Sequence, residues 1–316
     1  MAASNQLRLV IDTDTGTDDA VALLMALRRP DVLVEAITTV AGNVEVEHCL
    51  RNVHYVLELC GQDLPVYRGA DRPLVRRLNT AAHVHGSDGL GDIGLRPRMV
   101  QVEPETAAAA LVDLIRSNPG ELTLVTLAPL TNIALALALA PEICGLVRRV
   151  VMMGGAANTM GNATPAAEFN IWCDPEAARL VFRSGMPITM IGIELCRGEY
   201  AHSPADQEAL AALGSPFADF VVSMCHAGAQ RSKRQGQEGH AGLPDAVAMA
   251  VALDPSILTE AGTYSVDVET RGELTAGETV VDRLHVLEQP ATVQVGHAIA
   301  ADRYKAMVRD ACRSVS

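Results

Sequence analysis

The chain has 316 residues, 49% of them apolar, and a formal net charge of −13. That is enough apolar material for a sizeable core, and the acidic balance, with only Lys233 and Lys305 as lysines, excludes a phosphate-reading nucleic-acid binder. Seven cysteines without a Cys-x-x-Cys pair argue for reduced thiols. With no leader-like basic and apolar start and no apolar run of the roughly 20 residues a membrane span needs, a cytoplasmic protein without membrane partners is expected.

Leu7 to Ile11 is apolar and β-branched and reads as a buried strand; Ala20 to Leu27 reads as a core helix. Leu33 to Val40 is a second strand, ending in Ala41-Gly42-Asn43 ahead of a helical stretch from Val44 to Cys60. Thr80 to Arg96, which contains His83-Val84-His85-Gly86, reads as a loop over a site. Its Gly89-x-Gly91-x-x-Gly94 spacing is a formal dinucleotide fingerprint, but it follows no apolar strand and is discounted. Leu122 to Leu127 is a strand, followed by Ala128 to Asn132 and an alanine-leucine helix to Ala140. Val147 to Met153 is a strand ending in Gly154-Gly155; a helix starts near Pro175, and Ile188 to Ile193 is another strand. Gln230 to Gly242, polar and glycine-rich, reads as a second loop over the site. The alternation predicts an α/β fold, one domain over residues 1–316, with a mostly parallel central sheet flanked by helices in a Rossmann-like manner. In such sheets ligands bind beyond the carboxyl ends of the strands.

The chemistry concentrates in Asp12-Thr13-Asp14-Thr15-Gly16-Thr17-Asp18-Asp19, between the first strand and the first helix. Acids at a helix N-terminus stabilise the dipole by roughly 0.3–1 kcal/mol each, which accounts for one or two carboxylates but not four. Packed acids raise one another's pKa unless a positive charge sits among them, and no Lys or Arg occurs between Arg8 and Arg28. A bound hard cation with oxygen ligands is the simplest remedy. An EF-hand loop counted from Asp12 fails, with Thr17 at the sixth position and Leu23 at the twelfth. The Asp-x-Asp-x-Thr pattern of haloacid dehalogenase-type phosphatases fails at Gly16.

The stretch resembles the N-terminal signature of the calcium-dependent nucleoside hydrolases, and the resemblance continues in order through nearly the whole chain. Thr38 to Asn43, Leu130 to Ala134, Met152 to Gly155, Gly161 to Thr164, Ala167 to Asn170, Asp174 to Ala178 and Asp245 to Ala248 look like the later family blocks. The resemblance implies hydrolysis of the N-glycosidic bond of ribonucleosides to base and ribose, with Ca2+ as cofactor and a homo-oligomer, dimer or tetramer, as the assembly. It implies Asp14, Asp19, Asp245 and the Leu127 carbonyl as metal ligands, with Leu127 standing where the family usually has Thr. Asp14 is the implied base that activates water. Asp18, Asn43, Asn162, Glu168 and Asn170 match the sugar-binding positions. His85 matches a histidine near the nucleobase, and Met153 and Phe169 are further substrate contacts. If Glu168-Phe169-Asn170 is extended, both polar side chains share one face. The single tryptophan, Trp172, is expected to be buried and structural.

One position departs from the pattern. Many relatives have His before the last metal Asp, where it protonates the leaving base; here it is Pro244. Tyrosine is absent from Phe217 to Leu243, where some relatives place aromatic base contacts. His240, four residues before Pro244, is the substitute acid, and a hydrolase for an unusual N-riboside is an alternative. Two rivals are a phosphatase using Arg231, Lys233 and Arg234, and a non-catalytic ribose- or nucleoside-binding protein.

Overall fold

The computed structural model describes residues 6–234 and 239–314, the side chains of 227 and 231–234 excepted. Strand β1 (Leu7–Thr13) feeds α1 (Thr17–Leu27), and β2 (Val32–Thr39) feeds α2 (Val46–Cys60). Next come β3 (Val66–Arg68), the one-turn α3 (Ala82–His85), α4 (Ala107–Ser117), β4 (Leu122–Thr126), α5 (Thr131–Leu139) and β5 (Arg149–Met153). After a long loop follow α6 (Phe169–Cys173), α7 (Pro175–Phe182), β6 (Ile188–Ile191), α8 (Pro204–Ala211), α9 (Pro216–Arg234) and α10 (Pro244–Leu253). The chain closes with β7 (Leu258–Val268), β8 (Thr279–Asp282), β9 (Val293–Ile299) and α11 (Ala301–Ala311).

The nine strands form one sheet in the order β3-β2-β1-β4-β5-β6-β9-β7-β8. Every pairing from β3 to β9 is parallel; β7 joins β9 and β8 joins β7 antiparallel. Parallel strands must be covered on both faces, so β4 and β6 are buried along their whole length. One apolar core holds α1, α10 and much of α2 and α9; a second, on the opposite face, holds the buried sides of α4, α5 and α7. Every residue of α1 is buried and α1 packs on α10, as a helix apolar nearly all round must. The chain runs outward from β1 to β2 and β3, then returns to β4 on the other side of β1. That reversal opens a crevice beyond the carboxyl ends of β1 and β4.

The predicted α/β class and parallel sheet are what the chain forms. The predicted loop 230–242 begins too early, because α9 continues to Arg234; residues 235–238, with the Lys233 region's side chains, fall outside the described set. The glycines 89, 91 and 94 all have positive φ and lie in loop backbone, not at the head of a helix. Among the described residues no helix is long and apolar enough to cross a membrane.

Candidate active site

The crevice is built first by the β1–α1 turn. Gly16 caps α1 in ordinary extended backbone, φ −92°, so φ does not require a glycine there. Space does: a Cβ would lie 2.6 Å from His85 Nδ1 and 2.8 Å from Asn43 Nδ2. At Gly42 a Cβ would overlap Asp14 Oδ2. Thr13 Oγ1 donates to Asp19 Oδ1 at 2.6 Å and the Gly16 amide donates to Asp19 Oδ2 at 2.9 Å, which fixes the Asp19 carboxylate against the first turn. Asn43 serves two acids at once. Its amide nitrogen donates to Asp14 Oδ2 at 2.6 Å, and its Nδ2 donates to Asp14 Oδ1 at 3.1 Å and Asp19 Oδ2 at 3.0 Å.

Asp245 enters from the N-terminus of α10, so two helix N-termini converge on these carboxylates. One carboxylate oxygen each of Asp18, Asp19 and Asp245 lie within 4.8 Å of one another. Asp14 is not in that group; it sits beside it, held by Asn43. All four are buried. Burial pushes each carboxyl pKa up, and repulsion from neighbouring acids adds to it at Asp14, Asp19 and Asp245, carrying Asp14 and Asp245 well above the usual carboxylate range. Among the described residues no Lys or Arg pairs with them; the one basic neighbour is His85, its Nδ1 3.8 Å from Asp18 Oδ1. A buried, oxygen-only donor set with no internal counter-charge fits a hard divalent cation.

A cavity of about 1140 Å³ opens over this floor. Asp18, Asn43, His85, Leu127, Met153, Asn162, Glu168, Phe169, Asn170, His240 and Asp245 all line it; Asp14 and Asp19 lie behind the wall. His85 Nδ1 lies 3.2 Å from the Thr17 amide, which only donates, so Nδ1 accepts and the neutral ring carries its proton on Nε2. Asn170 Nδ2 donates to the carbonyls of Leu127 at 3.0 Å and Met153 at 3.3 Å. Asn162 Oδ1 accepts from the Phe169 amide at 2.8 Å.

The extended reading of Glu168 to Asn170 is wrong. Glu168 is the N-cap of α6, its carboxylate accepting from the amides of Asn170, Ile171 and Gly155, and the helix begins at Phe169. A capping carboxylate bends the chain where period-two alternation expects it to run straight. Burial still pushes the Glu168 carboxyl up despite those donors. Trp172 is also not the buried structural residue expected: it is half-buried and lines the cavity, its ring centroid 6.4 Å from that of Phe169.

Sequence reasoning passed over the tier beneath. Asp12 accepts from Thr38 Oγ1 at 2.6 Å and Asn132 Nδ2 at 2.7 Å, and burial raises its pKa to about 7. Asp174 caps α7 and also takes the Leu74 amide and Thr131 Oγ1. Asn132, within one of the recognised blocks, was the signal for the first; nothing in the sequence pairs Asp174 with Leu74. Pro244 stands at the first position of α10, where proline suits a helix, and it too lines the cavity, as do Asn79 and His83.

A family model described as inosine-uridine preferring nucleoside hydrolase matches residues 9–306. The non-specific ribonucleoside hydrolase RihC of Salmonella typhi is 41% identical over 304 residues, 96% of this chain and 97% of its own. An uncharacterized protein of Schizosaccharomyces pombe is 38% identical over 302 residues, 94% of this chain and 96% of its own. Among solved structures, a plant nucleoside hydrolase superposes with TM-score 0.91 at 31% identity, covering 98% of this chain and 99% of its own. A purine-preferring ribonucleoside hydrolase from Gardnerella vaginalis gives 0.87 at 31% identity, covering 96% and 98%.

Proposed function

The chain belongs to the inosine-uridine preferring nucleoside hydrolase family and is a hydrolase of ribonucleoside N-glycosyl bonds; from that premise we propose that it works with calcium, using Asp14 as the base. The supporting observation is the buried acid floor, with no Lys or Arg among the described residues to neutralise it. Asp14, Asp19, Asp245 and the Leu127 carbonyl would hold the ion. Bound there, calcium offsets the carboxylate repulsion and makes a nearby water more acidic.

The remaining steps belong to the chain. Asp14, which burial and its acidic neighbours make more basic, takes the proton of the attacking water. The carboxylate floor favours the positive charge that spreads over the sugar ring as the glycosidic bond lengthens. Asp18, Glu168, Asn162 and Asn170 engage the ribose hydroxyls, and Asn43 contributes through Oδ1, since its Nδ2 hydrogens are taken by Asp14 and Asp19. Met153 packs on the sugar; Phe169 and His85 sit toward the base. His240, in the cavity wall, protonates the departing base in place of the absent histidine. A homo-oligomer is part of the same reading, checked by sedimentation.

The test is a panel of ribonucleosides assayed for reducing-sugar release, with chelator and with calcium added back. Loss and recovery of activity is the expected result, and full turnover in metal-free protein would defeat the calcium reading. A 2′-deoxynucleoside should be poorer by about 10⁴, as sites built around a hydroxyl commonly show. Pro244 favours one second reading, that the natural substrate is an unusual N-riboside whose base leaves unaided. Cleavage of p-nitrophenyl riboside without cleavage of any common nucleoside would select it.

A further inference from the structure

The loop between β5 and α6 carries Asn162 over the cavity, and its hydrogen bonds are unevenly placed. At its far end the amides of Asn162, Ala163 and Thr164 all point at the Ala167 carbonyl, 3.2 Å each, and Gly161 donates to Pro165 O at 3.1 Å. The stretch just before, 159–161, is tied instead from across the cavity wall. Arg197, which follows the 3-10 turn Ile193–Cys196 after β6, donates through Nη1 to Thr159 Oγ1 at 2.9 Å and Met160 O at 3.0 Å, and through Nη2 to Gly161 O at 3.3 Å. Three acceptors on three consecutive residues meet one planar fork. Among the described residues no carboxylate pairs with this guanidinium.

Met160 is largely exposed, so apolar burial does not hold this stretch; the guanidinium does. The exits of two neighbouring strands, β5 and β6, are therefore joined by one side chain, and the joined segment leads directly into Asn162, whose Oδ1 is already committed to Phe169 N. That leaves the Asn162 Nδ2 donors for the cavity.

We propose that Arg197 is a positioning residue that clamps residues 159–161 so that Asn162 meets the sugar of the bound riboside. The inference rests on the ribonucleoside hydrolase reading for its catalytic consequence, though not for the clamp itself. Lysine cannot replace it fully, because one ammonium does not reproduce the planar fork.

The test combines two readouts on the full chain. Hydrogen exchange at the 159–162 amides should accelerate about tenfold or more in Arg197→Ala, with exchange in β5 and β6 and the melting temperature unchanged. On a cleaved riboside, kcat/KM should fall about 10–100-fold, the scale of a slight misplacement, and Arg197→Lys should recover only part of it. In an Asn162→Ala background the same Arg197→Ala change should cost less than about threefold, since the two act as one unit. Unchanged exchange, or losses that simply multiply, would overturn the proposal. If wild type cleaves no riboside, the functional reading falls and exchange alone decides the clamp.

Discussion

Asp14 and Asp12 are two residues apart on one strand end, yet their surroundings assign them different work. Asp14 faces the acid floor and is held by Asn43; Asp12 looks into the sheet toward Thr38 and Asn132. Asp14→Asn removes the carboxylate proposed as the base while keeping the shape, and kcat should fall by roughly 10²–10⁴. Asp12→Asn keeps an oxygen for the Thr38 hydroxyl and should cost far less. Steady-state kinetics on one riboside checks both, and equal losses would mean the roles are misassigned. His202 is a different residue-scale case. Its ring is buried, neither nitrogen has a hydrogen-bond partner among the described residues, and it packs edge-on against Tyr304, 5.5 Å between centroids. Burial lowers its pKa to about 4. The folded state then binds fewer protons than the unfolded state between pH 6.5 and 4, so this residue's contribution is fully present above the unfolded value and lost as pH falls through that window. The loss is about 3 kcal/mol. His202→Phe should therefore gain on wild type by that amount from pH 7 to pH 4 in urea titrations; parallel curves would refute it.

At the scale of elements, turns do the placing. The β2–α2 turn presents Asn43, and Gly42 leaves just enough room for Asp14. Gly42→Ala should keep the fold but push the Asp14 carboxylate aside, lowering kcat/KM by about 10² and, on the proposed calcium reading, shrinking the rise in melting temperature expected from added calcium. An unchanged calcium-induced shift would show the turn to be tolerant. The elements legible in the sequence were those with one unambiguous signal: continuous apolar runs for β1, β2, β4, β5 and β6, and the dense acids for the turn after β1. β3 has only three residues, too few for any period. β7 and β9 mix exposed polar and buried apolar residues, and their pairing joins antiparallel partners to a sheet whose other strands read as parallel. The α6 start was missed because a glutamate cap resembles an extended sugar-binding pair. Arg197 left no trace, because its partners are carbonyls that every residue owns.

The whole molecule is a sheet whose reversal beside β1 gathers the site from both ends of the chain. Asp18 and Asp19 come from α1 and Asp245 from α10, and these two helices lie against each other in the core. Synthesis runs in one direction at about 5–20 residues per second, so the first acids emerge more than ten seconds before the last. During that interval α1 has no α10 to cover its apolar surface. The buried cluster of Asp18, Asp19 and Asp245 is thus incomplete until α10 has left the ribosome. The cluster closes late in biosynthesis, and a chain truncated before Pro244 should be a client of chaperones.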